Sequence, residues 1–300
     1  MRPDRGQDIR MECGFIPADR DFNESVAYDM EYAIADGAMA AAARRLGKEE
    51  DYAYFNERSH SYRNYFDPET LFIRGRNSDG TFVEPFNPYS SNHRADVYCE
   101  GNAWQYTWLV PQDFDGLVTL YGSKEKLAER LDSLFAAKNE IEGAEASPDI
   151  SGLIGQYAHG NEPSHHIIYF YTMADQPWKA ADKIDEVLRT LYFHDPNGLS
   201  GNEDVGQMSA WYILSSLGMY QVEPAGARFW FGKPSFAGAE VQVPGGTLKI
   251  RAEGLSGEAR YIQSVTLNGK NHPYPYIEFN DIMKGGELVF RMGTEKTLWY

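Results

Sequence analysis

Apolar residues follow two rhythms along this chain, and the change of rhythm divides it. In 26–46, 103–110, 167–173 and 208–217 they occupy consecutive positions, which suits helices buried on every side. Each run but the last is followed by a segment with one apolar stripe. Those stripes are Tyr52, Phe55, Tyr62 and Phe66 in 49–66, Leu127, Leu131, Leu134 and Phe135 in 124–138, and Ile184, Val187, Leu188 and Leu191 in 178–192. Inner helix then outer helix, repeated, predicts an α/α toroid. Four inner and three outer helices do not complete six pairs, so the expected fold is mainly α, an incomplete (α/α)6 toroid. An open arc would leave apolar helix surface uncovered at its edge, a face for association.

Beyond Gly218 the period shortens to two. Strands are expected near 229–231, 239–243, 247–252, 261–267 and 287–292, with Asn268-Gly269 as a tight turn, giving a small antiparallel β module. The predicted organisation is a partial-barrel catalytic region over 1–222 and a C-terminal β-strand module over 223–300. The stretch 67–98, rich in Gly, Asn, Pro and Ser, reads as one long loop of the kind that often helps to build a site.

Composition narrows the function classes. The 300 residues carry 44 acidic and 28 basic side chains, a net charge of -16, which disfavours nucleic-acid partners. Cys13 and Cys99 make neither a disulfide framework nor a cysteine zinc site. The first residues lack the apolar stretch of a secretory signal, and no run is long and apolar enough to span a bilayer. Serine-hydrolase, P-loop, dinucleotide and zincin motifs do not occur. Aromatic residues reach 14%, a composition suited to sugar rings and equally to an ordinary core.

Candidate chemistry gathers where Gly, Asn and acidic residues precede the buried runs. Glu100 stands before Trp104 and Trp108, an apolar wall that could raise a carboxyl pKa; a plain first-turn acid is the dull alternative. In 159–166, His-Gly-Asn-Glu-Pro-Ser-His-His, the oxygens of Asn161 and Glu162 suit a hard cation, whereas adjacent His165 and His166 diverge too far for zinc. Asn202, Glu203 and Asp204 offer more oxygen side chains than one helix cap requires. Two carboxylates flanking a pocket are the minimum machinery for glycoside hydrolysis, with Glu100 and Asp204 as the chosen pair.

Four stretches carry a resemblance: Glu-Gly-Asn-Ala-Trp-Gln-Tyr-Thr-Trp at 100–108, the 159–166 segment, Gln-Pro-Trp at 176–178, and Gly-Asn-Glu-Asp-Val-Gly-Gln-Met-Ser-Ala-Trp-Tyr at 201–212. Here the chain resembles glycoside hydrolase family 92, calcium-dependent exo-acting α-mannosidases. The resemblance implies hydrolysis of terminal α-linked mannose with inversion. Glu100 would be the general acid and Asp204 the general base. Asn161 and Glu162 would lie at the Ca2+ site, and His159, His165, His166, Trp104, Asn202 and Glu203 around the sugar. Asn202 stands where some relatives carry Asp. The acid and base carboxyls of an inverting enzyme are expected roughly 6.5–9.5 Å apart, opening with residue 162 onto a common hollow. Family members also resemble a design with an N-terminal β-sandwich, which has no counterpart here, and the family suggests a secreted or periplasmic location. A non-catalytic glycan-binding or helper subunit paired with a separate N-terminal chain is the alternative, and another α/α-toroid glycosidase is the third reading.

Overall fold

The structure, a computed structural model, describes residues 5–143 and 145–300. The chain forms two units, one running through Ser164 and including 224–226, the other comprising His165–Glu223 and 227–300.

In the first unit the Ala-rich run becomes the helix Ser25–Arg45, followed by Glu49–Arg58. Two acids inside the first of these helices are consumed by a buried ion network. Arg10, from the helix Gln7–Cys13, pairs with Asp29 and Asp36 at 2.5 Å each, while Ser61 and Tyr65 donate to Asp29, both at 2.7 Å. Such a network tolerates burial only because each charge is matched.

The apolar run 103–121 is not one helix. It divides into Ala103–Tyr106 and Phe114–Tyr121, because Pro111 lacks an N–H and biases its neighbour away from helix, after which Asp113 caps a fresh start by accepting from Gly116 N at 3.0 Å. The outer helix Lys124–Ala136 begins at a Ser123 cap and buries Leu127, Leu131, Leu134 and Phe135, as its stripe requires. The loop 67–98 is fastened by Arg74, which donates to Asp67 at 2.7 Å and to Glu84 at 2.6 Å.

The second unit opens on a 3-10 turn, Ile167–Tyr169, that runs into the helix Phe170–Met173, all buried. Pro177–Thr190 follows with proline at its first turn, then Gln207–Ser216. The antiparallel expectation for the β module needs one correction. In the five-stranded sheet, Gly286–Gly293 pairs antiparallel with Tyr261–Leu267 but parallel with Gly246–Glu253. The chain reaches that position through an unforeseen helix, Phe279–Lys284, and parallel neighbours need such a longer connection. Asn268 and Gly269 turn at φ +52 and +74 between Tyr261–Leu267 and Lys270–Asn271, as the dipeptide predicts. Leu248, Ile250 and Ala252 alternate inward onto a core with Val265, Leu288 and Phe290. A separate three-stranded antiparallel sheet joins Met219–Gln221, Arg228–Phe231 and Tyr276–Glu278.

Candidate active site

The first unit holds Glu100, Trp104, His159, Asn161 and Glu162 of the predicted site residues; the second holds His165, His166, Asn202, Glu203 and Asp204.

Glu100 is not a first-turn acid. The helix Ala103–Tyr106 is capped by Asn102, whose side chain accepts from Trp104 N at 2.9 Å while Gln105 Oε1 accepts from Asn102 N at 2.8 Å. Glu100 lies two residues upstream, half-buried, with φ +52. That left-handed backbone is uncommon for a residue with a side chain and marks strain of the sort found at functional sites. The turn is held at several points. Tyr106 donates to the Cys99 carbonyl at 2.6 Å, and Asn161 Nδ2 donates to the Glu100 carbonyl at 3.1 Å and lies 3.5 Å from Glu100 Oε2. Behind them Gln156 ties the cap down, accepting from Asn102 Nδ2 at 3.0 Å and, through its carbonyl, from Gln105 Nε2 at 2.6 Å. Gly101 has no room for a side chain, since a Cβ there would stand 2.7 Å from the Tyr106 ring.

Trp104 is buried between Phe72, Tyr89 and the guanidinium of Arg130, which lies 4.7 Å over its ring. His159 is fully buried, its Nδ1 paired with Tyr157 Oη at 2.9 Å.

Sequence reasoning passed over Glu31 on the helix Ser25–Arg45. Its side chain touches solvent, yet protein crowds it closely, and its carboxyl is pushed up by desolvation and then by the negative charge of Glu162. Glu31 also adds to the electrostatic load on Tyr106, whose phenol is driven up first by burial. The available signal was a third acid, beside Asp29 and Asp36, in an otherwise apolar run.

Two carboxylates that raise each other's cost of ionisation, beside the amide of Asn161, form a donor chemistry that fits a hard cation. Among the described residues no three His, Cys, Asp or Glu side chains form a metal-binding group, so backbone or ligand oxygens would have to supply the remainder.

In the second unit, His165 is buried. Gln207 Nε2 donates to its Nδ1 at 3.0 Å, which puts the ring proton on Nε2, and Trp211 Nε1 donates to its carbonyl at 3.0 Å. His166 is buried edge-on against Phe170. Asp204, Val205 and Gly206 run consecutively at φ +46, +56 and +91 before the helix Gln207–Ser216, a strained passage because Val205 is β-branched. Gly206 occupies the cap position without a side-chain bond. Glu203 meets the helix start instead, accepting from Ser209 N at 2.8 Å, so a capping explanation applies to Glu203 and leaves Asn202 and Asp204 exposed beside it.

Comparison with known proteins decides the family. The chain matches the glycosyl hydrolase family 92 catalytic domain over residues 2–294. It belongs to that family. A family GH92 α-mannosidase from Bacteroides thetaiotaomicron, solved with mannoimidazole, is 37% identical with a TM-score of 0.89, covering 96% of this chain and 38% of its own. A family GH92 inverting mannosidase from the same organism is 31% identical at a TM-score of 0.84, over 97% of this chain and 40% of its own. A protein named an uncharacterized secreted glycosidase, from Arthroderma benhamiae, is 27% identical over 95% of this chain and 39% of its own. The chain therefore spans about two fifths of the length of these relatives. Among the described residues no helix is long and apolar enough to cross a membrane.

Proposed function

We propose that this family member acts in the hydrolysis of terminal, non-reducing α-linked mannose from glycans, with inversion at the anomeric carbon. The observation that carries the reading is Glu100. It is a half-buried carboxylate outside any helix cap, on a left-handed turn that Tyr106, Asn161 and Gln105 hold in place. Fixed geometry of this kind serves proton donation, because a general acid must meet the leaving oxygen within hydrogen-bond reach. In this reading Glu100 protonates the glycosidic oxygen as the bond breaks, and Asp204 takes a proton from the water that attacks the opposite sugar face. His159, His165, His166, Trp104, Asn202 and Glu203 form the sugar surroundings. Bound Ca2+ would supply a hard positive charge that grips sugar hydroxyls, with Asn161 and Glu162 holding it and Glu31 adding negative charge beside Glu162.

Fold and setting belong to the same proposal. The helices form part of an (α/α)6 toroid over 1–222 with the β module at 223–300, and a β-sandwich domain N-terminal to them completes the enzyme, which works outside the cell or in the periplasm. The name of the fungal relative supports that location.

A helper or glycan-binding subunit paired with a separate chain is the second reading. One observation favours it: the helix Gln207–Ser216 is apolar all round, yet Tyr212 and Ile213 are exposed, with Phe193 exposed in the cleft that they line. The test is mannose release from α-1,2, α-1,3 and α-1,6 mannobiosides, with calcium or EDTA and with or without an added N-terminal domain. Release that depends on calcium and on Glu100 supports the enzyme; binding without turnover under every condition supports the helper.

A further inference from the structure

Asn161 has a chemistry that metal ligation does not exhaust. Its side chain is 7% exposed, and its Nδ2 donates to the carbonyl of Glu100 and passes close to Glu100 Oε2. Turning the amide over would press Oδ1 against two oxygens of Glu100, so electrostatics fixes which end faces the acid. Glu100 requires a hold of this kind, because at φ +52 its backbone sits where side-chain-bearing residues rarely rest. Tyr106 secures the residue before and Gln105 the residue two after, whereas Asn161 grips Glu100 itself.

We propose that Asn161 is a positioning residue for Glu100, maintaining the left-handed turn that aims the carboxyl; the proposal rests on reading Glu100 as the general acid. With Nδ2 committed to Glu100, Oδ1 is the only side-chain atom that a cation could take, since an amide nitrogen is not a ligand for calcium. One side chain thus links acid placement to the cation side. A displacement of about an ångström in an acid is enough to cost orders of magnitude in rate.

Asn161→Asp separates the two roles, because it keeps the shape and an oxygen but loses the N–H. In protein carrying 13C-labelled glutamate, with the Glu100 signal assigned by its loss in Glu100→Gln, the 13Cα and 13Cβ shifts of Glu100 should leave the left-handed range in Asn161→Asp. They should stay put in Glu162→Gln. The thermal shift that calcium chloride produces should persist in Asn161→Asp and weaken in Glu162→Gln. On an unactivated mannobioside kcat should fall about 100-fold in Asn161→Asp, within the range of general-acid contributions, and less than about 10-fold on a dinitrophenyl mannoside, whose leaving group needs little protonation, with KM changed less than about 2-fold on either. Unmoved Glu100 resonances, or equal rate losses on the two substrates, would overturn the proposal. Should Glu100→Gln fail to discriminate between leaving groups, the general-acid reading falls separately, and the resonances still decide whether Asn161 holds residue 100.

Discussion

The turn at Glu100 and the turn at Asp204 share a backbone device and differ in everything around it. Both present a carboxylate from a left-handed residue just ahead of a buried helix. At Glu100 the turn is enclosed: neighbouring carbonyls are hydrogen-bonded, the cap is doubly tied, and Gly101 lies under the Tyr106 ring. At Asp204 the turn is open, with Val205 and Asp204 exposed and nothing within 4 Å of a Cβ at Gly206. The contrast matches the two proposed tasks. A proton donor must be aimed at one oxygen, while a base that activates water needs access to it.

The largest effects should come from the carboxylates. Glu100→Gln should lower kcat about 10³-fold on a mannobioside and recover much of it on a dinitrophenyl mannoside; Asp204→Asn should lose a similar factor on both, because a better leaving group does not activate water. Steady-state kinetics on the two substrates check this, and identical patterns in the two variants would erase the distinction. Next, Asp29→Ala strips Arg10 of a buried partner and should cost roughly 3–5 kcal/mol, read by urea unfolding, with amide exchange rising first in the Glu100 unit rather than around Asp204.

The glycines sharpen the comparison further. Gly101→Ala must displace Tyr106 and should reduce turnover strongly. Gly206→Ala meets only left-handed strain, about 1–2 kcal/mol, and should cost more in melting temperature than in kcat. The smallest effect concerns Asp67. Burial raises its carboxyl, but hydrogen bonds from Arg74, Glu69 N and Thr70 outweigh that and hold it below the usual aspartate range. A lowered folded pKa means stability present above about pH 4 and lost as pH falls through the lower folded value, so Asp67→Asn should flatten the acid limb of a melting-temperature profile.

The buried helices were legible because unbroken apolar runs leave few alternatives, and the outer stripe of 124–138 appears residue for residue in the helix Lys124–Ala136. Gln7–Cys13 escaped notice because it is held by a buried Arg10 rather than by an apolar face. Strand alternation does not encode direction, so the parallel pairing of Gly286–Gly293 with Gly246–Glu253 could not be read from it. At the site, the Gly and Asn clusters announced turns, but no residue type signals that Glu100 itself adopts positive φ. Glu31 looked like a solvated acid, since its partner Glu162 lies more than a hundred positions away.

The central claim is direct displacement by water, with Glu100 as acid and Asp204 as base. Its sharpest test is proton NMR of the sugar released in the first seconds of turnover on an α-mannoside. β-Mannose should appear first and only later mutarotate, with release abolished in both carboxylate variants. Initial α-mannose, or undiminished release from either variant, would contradict the account.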